Sequence, residues 1–575
     1  MRGVPFGVAV VAAGLYLLRL GQAPFLDPPE GFHAEVARSI LVLGDWIRLH
    51  IDGIPYFDKP PILYWLMAVS FWMAGPSELS ARVWPALAAV GVAAVTARLG
   101  VVLGGARLGM LAGLMVVANL GMYLYGRLVK PDVPFILCLV LAYAGFAVAY
   151  RGGGRRALAL FYVSLGLATL TKDILGAIGP LLIVGLFFLL TRERPVAPWV
   201  PWWGILLLVA VAGPWYAAVE WHSRGFLWYT IVDNHVLNIA RQRVFPDEDV
   251  PLGSLPFLGV TFLAFLPWAL AAPAAILHAF RRPWDNATAR LWVLIALWPL
   301  VVVGFFTMSP FKLPHYALPA FPALALLAAR AWDESIDAAP QSLRPRALIV
   351  PVAVVFALAG LAMGLAAADR LPLPPGAMGN VDLATRNLAA RGQPTGGAPL
   401  AAYVSVLRSS AIVFGAAAVI LAWTAWSRRP ALAVWTSLAA TLAFLPLAGD
   451  GMTQFARSRS TRPIAEALAI RLRPADEVIH EGPLENSASV LLFIDRPVRI
   501  VNGERSNLAF GATFPEGRDR FWSSTRLQEE WAKPGRRFLV SGLDPARSVV
   551  STLPPASVRT IAHAGGRWLY ANLGD

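Results

Sequence analysis

Gly53-Ile54-Pro55-Tyr56-Phe57-Asp58-Lys59-Pro60-Pro61-Ile62-Leu63-Tyr64-Trp65 is the stretch that decides how the rest of this chain is read. It sets a carboxylate and an ammonium beside two prolines, directly before an apolar run. Holding charge against hydrocarbon is costly, so a charged pair there reads first as a functional site. Lysine's compact ammonium holds phosphate as a point charge. The bland alternative is a snorkelling lysine with its counter-ion at a helix start, where proline is common. Tyr56, Phe57, Tyr64 and Trp65 surround the charges as an interfacial aromatic belt, and that company favours function.

Outward from this stretch the chain is 575 residues long, 57% hydrophobic and only 15% charged, with a mean hydropathy of +0.58. That balance excludes an ordinary soluble domain and predicts a polytopic membrane protein. Met1-Arg2 leads straight into an apolar run, which reads as a retained first span rather than a cleaved signal. The only cysteine, Cys138, rules out an intrachain disulfide. Apolar runs fall near 3–20, 81–103, 108–126, 133–150, 157–171, 174–191, 199–219, 255–279, 291–308, 316–331, 347–367, 408–426 and 431–449. They predict about thirteen membrane-spanning helices. The shorter run 62–74 reads as an interfacial or re-entrant helix.

Loop charge orients these spans. Arg107, Arg151, Arg155, Arg156, Arg192, Arg194, Arg281, Arg282, Arg290, Arg344, Arg346, Arg428 and Arg429 fall in alternate loops, the positive-inside pattern. The N-terminus is thereby expected in the cytoplasm and the C-terminus outside. These arginines absorb much of the net charge of +14, so nucleic-acid binding is not needed to explain it. Lys59, Asp132, Lys172, Lys312 and His315 then share one external face, which predicts one external active site. Residues 1–449 read as the transmembrane catalytic domain. Residues 450–575 lack any long apolar run, mix short strand-like and helix-like stretches, and are expected to form an external α/β domain.

Four further elements lie on that face. Asp27 and Glu30 precede a helical pattern at 32–47, expected to lie amphipathically on the membrane. They read either as caps suited to a helix N-terminus or as catalytic carboxylates. Asp132 sits in the turn Arg127–Asp132, either paired with Lys130 or Arg127 or completing an acidic site with Glu30. Lys312, Pro314, His315 and Tyr316 repeat the lysine–proline–tyrosine formula at a second lip. His222, Asp233, His235, Arg241 and Arg243 occupy the loop 220–254, facing water or an anionic ligand. His33 with Glu35, or His235 with Asp233, would be weak candidates for a divalent-metal site, since their spacing matches no metal signature.

In sum, HAEVARSI (33–40) with GDWI (44–47), GIPYFDKPPILYW, RLVKPDVPF (127–135), GLATLTKD (166–173) and KLPHYALPAFPALALLAA (312–329) resemble the membrane glycosyltransferases that use polyprenyl-phosphate sugars. These are the GT-C enzymes of the aminoarabinose–lipid A transferase group and the related protein O-mannosyltransferases. The resemblance covers most of residues 20–330. It implies a thirteen-span fold with an external C-terminal α/β domain, an undecaprenyl-phosphate sugar donor, and lipid A or another envelope molecule as acceptor. The sugar would be 4-amino-4-deoxy-L-arabinose or a relative, and the setting the bacterial inner membrane. By the same resemblance, Lys59 would hold the donor phosphate with Asp58 as its acidic neighbour and Tyr56 close by. Lys312, Tyr316 and Arg241 or Arg243 would line that pocket, and Asp132 would be the acid of the second external loop. The family opens its first loop with an Asp-Glu pair, but the Asp position is Pro29 here. Either Glu30 or Asp27 takes the catalytic role, Glu30 being preferred, or the acceptor is already anionic and needs no base. The competing expectations are a protein or other glycan acceptor, or a lipid-linked-sugar flippase. Transporters, however, place charge near the bilayer midplane.

Overall fold

The computed structural model describes residues 3–246, 251–339, 342, 344–371, 398–504 and 506–572. Each expected apolar run within them is helical, whole or broken. Among the described residues, seven helical stretches are long and apolar enough to cross a membrane unaided, with Asp132–Thr171, broken at Gly152, counted as one. The breaks have local causes. The run 108–126 stops at Asn119, whose side chain accepts the Met122 N–H at 2.8 Å and starts the helix Leu120–Tyr125. The run 255–279 is interrupted at Pro267, which has no N–H to continue the ladder. Asp132–Val148 and Gly154–Thr171 fold back on each other through Gly152, whose φ of 91° lies in the left-handed region. The chain is a multi-pass membrane protein. The Pro/Gly-rich stretch 371–399 falls almost wholly outside the described residues.

The segment 21–77 is structured throughout. After the helix Pro29–Leu43 come β1 (Leu49–Ile51) and β2 (Ile54–Tyr56), an antiparallel hairpin pairing Leu49 with Tyr56 and Ile51 with Ile54. Its two-residue turn is Asp52-Gly53, with φ of 51° and 76°, the paired left-handed geometry that Asp-Gly favours in hairpins. The hairpin delivers Asp58 and Lys59 just ahead of the helix Ile62–Ala74.

The helix Pro430–Arg459 runs past residue 450 before the chain enters the sheet-bearing segment. That segment holds β3 (Glu477–Glu481), β4 (Val498–Val501), β5 (Phe521–Trp522), β6 (Arg537–Ser541), β7 (Arg559–Ala564) and β8 (Arg567–Ala571). They form one sheet in the order β5-β4-β3-β6-β8-β7, parallel from β5 to β6 and antiparallel beyond. The stretch 485–493, helix-like in sequence, forms 3₁₀ turns over Leu484–Leu492.

Alternation along the strands makes this sheet two-faced. Ile479, Val501 and Leu539 pack inward with Trp522, Leu527 and Trp531. Their neighbours Val478, Ile500, Phe538 and Val540 join Phe32, Val36, Ala37 and Ile40 of the helix Pro29–Leu43 in a second core. Each such fully buried aliphatic or aromatic side chain contributes about 1.5–3 kcal/mol, so the C-terminal domain is firmly docked. Pro29–Leu43 is therefore not an amphipathic helix resting on the membrane. Its apolar face is spent on the C-terminal domain and on Ile62–Ala74.

Candidate active site

A cavity of 850 Å³ lies where the helix ends, the segment 21–77 and the C-terminal domain meet. Its apolar wall comes from Phe305, Phe306, Met363, Leu407, Phe444 and Phe455 on four different helices. Its polar wall comes from Glu485, Asn486, Ser506 and Asn507 of the C-terminal domain. Asp58, Lys59, Lys130, Asp132, Lys172, Asp173 and Arg243 face the same space. A cavity with one hydrocarbon-like wall, a cluster of cations and a wet wall can hold a lipid whose anionic head is met by charge.

Lys59 donates to Asp58 Oδ2 at 2.5 Å and to the Asp58 carbonyl at 3.2 Å. Burial works against the Lys59 ammonium, yet Asp58, with the more distant Asp173 and Asp132, holds its pKa above the ordinary lysine value. Burial likewise opposes the Asp58 charge, and Lys59 still keeps its pKa below the usual carboxylate range. The pair is thus charged on both sides. Tyr56 lies against Phe32 and receives the Tyr64 hydroxyl at 3.5 Å. His33 Nδ1 shares a 2.8 Å hydrogen bond with the Tyr64 hydroxyl. Burial, helped by Lys130 and Lys59, pushes His33 down to about 3, so its imidazole is neutral in this company.

On the opposite lip, Lys172 donates to Asp132 Oδ1 at 2.6 Å, and His315 Nε2 stands 3.7 Å from the same oxygen. The Lys172 ammonium also lies 5.3 Å over the Tyr316 ring. Arg243 donates to Asn234 Oδ1 at 2.6 Å and reaches Asp233 Oδ2 at 3.5 Å. His235 donates through Nδ1 to the Thr230 carbonyl at 2.8 Å. His33 and His235 both line the cavity, but no three His, Cys, Asp or Glu side chains gather as a metal site among the described residues.

The structure corrects four expectations about the site. Glu30 does not line the cavity. Its carboxylate takes Arg82 Nε at 2.8 Å and Nη2 at 2.6 Å, with the Leu26 and Val129 N–H groups at 2.9 and 3.0 Å. Every lone-pair direction is occupied, so Glu30 is a structural anchor. Asp27 is equally enclosed. It accepts from Thr461 Oγ1 at 2.8 Å, from the Ser489 N–H at 3.3 Å and from the Ser489 hydroxyl, and burial raises its pKa against the pull of Arg567. It ties the segment 21–77 to the C-terminal domain. Lys312 points away from the cavity and donates to the Thr307 and Ser309 carbonyls and to Ser254 Oγ at 3.1, 2.7 and 3.1 Å. It closes the C-terminal end of the helix Ala287–Met308, where a cation meets the negative end of the helix dipole. Arg241 is exposed and does not line the cavity, whereas Arg243 does. Pro29, at the position where the resemblance expects an acid, forms part of the cavity wall.

Lys172 and Lys130 enter the site without having been singled out as ligand residues by sequence. The signal available was the repeated lysine beside an aspartate at a span lip, Lys130-Pro131-Asp132 and Lys172-Asp173. The polar wall from Glu485 to Asn507 left no such signal, because it is brought in by the packing of the sheet.

The sequence profile of the family described as dolichyl-phosphate-mannose-protein mannosyltransferase matches residues 58–217. Similar proteins include the undecaprenyl phosphate-alpha-4-amino-4-deoxy-L-arabinose arabinosyl transferase of Pseudomonas aeruginosa (strain UCBPP-PA14), 28% identical over 62% of this chain and 65% of that protein. The enzyme of the same name from Shewanella sediminis (strain HAW-EB3) is 28% identical over 55% of this chain and 57% of its own length. The chain thus spans between 57% and 65% of the length of these relatives. In fold it matches the crystal structure of ArnT from Cupriavidus metallidurans bound to undecaprenyl phosphate, with a TM-score of 0.77 at 22% identity, over 100% of this chain and 99% of that one. The apo structure of the same protein matches with a TM-score of 0.77 at 22% identity, over 99% of this chain and 97% of that one.

Proposed function

We propose that this chain, which belongs with the GT-C membrane glycosyltransferases related to the aminoarabinose transferases, moves a sugar from undecaprenyl phosphate to lipid A. The sugar would be 4-amino-4-deoxy-L-arabinose, after the relatives' names. The observation that carries this reading is the juxtaposition of Lys59, Lys172 and Arg243 in one cavity whose other wall is apolar. A polyprenyl chain is accommodated by the helices while its phosphate meets the cations, so both halves of the donor keep a favourable environment. The active face would be periplasmic, with the N-terminus in the cytoplasm and the protein in the bacterial inner membrane.

In the reaction, the bond from the anomeric carbon to the phosphate oxygen breaks, and its electron pair leaves with undecaprenyl phosphate. An acceptor oxygen bonds to the opposite face of the same carbon, inverting it. Charge grows on the departing phosphate, and Lys59, with Arg243 and Lys172 nearby, offsets it in a space shielded from bulk water. A single preorganised donor of this kind contributes about 2.7–4 kcal/mol. Asp132 is the acid of the cavity best placed to orient the acceptor, being fixed by Lys172 and His315. With Pro29 in the wall and Glu30 occupied, the reading favours an acceptor that brings its own negative charge, such as a phosphate of lipid A. A divalent ion, if the reaction uses one, would enter with the donor phosphate rather than on a preformed protein site.

The test is direct. Purified protein supplied with undecaprenyl-phosphate aminoarabinose and lipid A should yield lipid A heavier by one aminoarabinose residue in mass spectrometry. Consumption of donor without that product, or movement of donor across a liposome without covalent transfer, overturns the assignment.

A further inference from the structure

Lys59 and Arg243 are two of the cavity's cations, and both come from segments outside the spanning helices. Each has an aromatic residue two positions away, Phe57 before Lys59 and Phe245 after Arg243. Both rings converge on one side chain of the C-terminal domain. Phe510 lies 5.2 Å from the Phe57 ring and 5.4 Å from the Phe245 ring, edge-on to each. It also stacks flat on Tyr229 at 4.5 Å with an interplanar angle of 7°. Tyr229 lies in the first turn of the π-helix Trp228–Leu237, which carries Thr230, Asn234 and His235 into the cavity. Phe57, Phe226, Tyr229 and Phe510 are all buried in a small core of their own, apart from the core of the sheet.

The backbone beside Phe510 is fitted equally closely. At Gly511 a Cβ would fall 1.9 Å from the Pro55 carbonyl oxygen, so only glycine lets this loop rest on β2. Asp52, in the β1–β2 turn, accepts the Val498 N–H at 3.0 Å. The C-terminal domain thereby grips the hairpin on both sides and aims Phe510 between the two cation-bearing segments. Aromatic pairs in these geometries are worth about 0.5–1.5 kcal/mol each beyond burial, and Phe510 makes three with the segments that carry the cations or line the cavity.

We propose that Phe510 is a positioning residue which sets the spacing of Lys59 and Arg243, so that the C-terminal domain fixes the affinity for the donor's phosphate without touching it. This rests on the proposed phosphate-binding role of the cavity. Phe510→Leu keeps the apolar volume but loses the flat stack and both edge contacts, while Phe510→Tyr keeps the ring. Binding of undecaprenyl phosphate and donor turnover are measured for both, with Leu527→Ala as a control that weakens the sheet core away from this cluster. Phe510→Leu should raise Kd and donor KM about tenfold with kcat within about twofold. Phe510→Tyr should stay within about twofold of wild type, and Leu527→Ala should move neither constant. Unchanged Kd in a folded Phe510→Leu protein overturns the proposal, as does an equal rise in Leu527→Ala. If wild type binds undecaprenyl phosphate but transfers no sugar, the glycosyltransferase reading fails while the Kd comparison still decides the role of Phe510.

Discussion

Arg82 donates to Glu30 Oε1 at 2.8 Å and to Oε2 at 2.6 Å, with both side chains buried. The remaining guanidinium hydrogens go to the carbonyls of Leu20, Ala23 and Pro24. This pair pins the start of the helix Pro29–Leu43 to the helix Glu78–Gly104, and so places His33 and Pro29 on the cavity wall. Removing one partner of such a pair leaves an uncompensated buried charge, at a cost of about 3–5 kcal/mol. Glu30→Gln is expected to lower the thermal unfolding midpoint in detergent sharply, with the kcat of the surviving folded fraction near wild type. A stable Glu30→Gln protein without turnover would restore the catalytic role that the structure removes from Glu30.

Lys59→Ala should abolish sugar transfer and lower the unfolding midpoint less than Glu30→Gln does, because the Asp58 left behind lines the cavity while Arg82 would be left enclosed. The ammonium is 29% exposed and opens on the cavity. Wild-type turnover in Lys59→Ala would discredit the phosphate role.

Asp58→Asn separates charge from geometry. Burial by itself lowers the Lys59 pKa, and the Asp58 carboxylate is what raises it above the usual value. Without that carboxylate the ammonium loses its proton at lower pH. The alkaline limb of the kcat/KM profile should therefore move to lower pH in Asp58→Asn, with little change below neutrality. A profile identical to wild type would mean that Lys59 is not the titrating cation.

Asp132→Asn discriminates between acceptors. A general base typically contributes about 10²–10⁴-fold, whereas an anionic acceptor needs none. Loss of Asp132 should reduce kcat by less than about 10²-fold and leave the acid limb of the pH profile in place. A larger fall together with loss of that limb would assign Asp132 the base's role and favour a hydroxyl acceptor.

The docking of the C-terminal domain should depend on pH through Asp52. Burial pushes this carboxyl up to about 7, against the pull of Arg520, while a free aspartate titrates near about 3.9. Between those values the docked state holds a proton that the open state has lost, so docking is strongest at the acid end and weakens as pH rises through the window. Above about pH 7 both states are ionised and the dependence levels off. Protection of the C-terminal domain from limited proteolysis should follow that curve in wild type and lose part of its slope in Asp52→Asn, which can still accept from Val498, the remainder belonging to the buried Asp27 at the same junction. A slope of opposite sign would exclude Asp52 as its source.

The spans were legible because their physics is local. A run of about 20 apolar residues is long enough to cross hydrocarbon whatever else the chain contains, and alternating arginines orient it. The same held for the strand-like stretches of residues 450–575, whereas the Asp52-Gly53 hairpin was not read from the sequence and Asp132, expected in a loop, is buried. The fate of the acids was not local. Glu30 meets Arg82 across 52 positions and Asp27 meets Thr461 across 434, and neither partner carries a mark of the encounter. A carboxylate reads the same in sequence whether it faces substrate or is saturated by an arginine. Lys312 illustrates the point from the other side, since its three acceptors exist only once the helix Ala287–Met308 ends beside Ser254. The sequence by itself determined which medium each segment occupies and which face carries charge, because transfer from water to hydrocarbon is summed residue by residue. Only the tertiary structure decided which of those charges line the cavity and which are saturated away from it, because pairing depends on distances that folding alone creates.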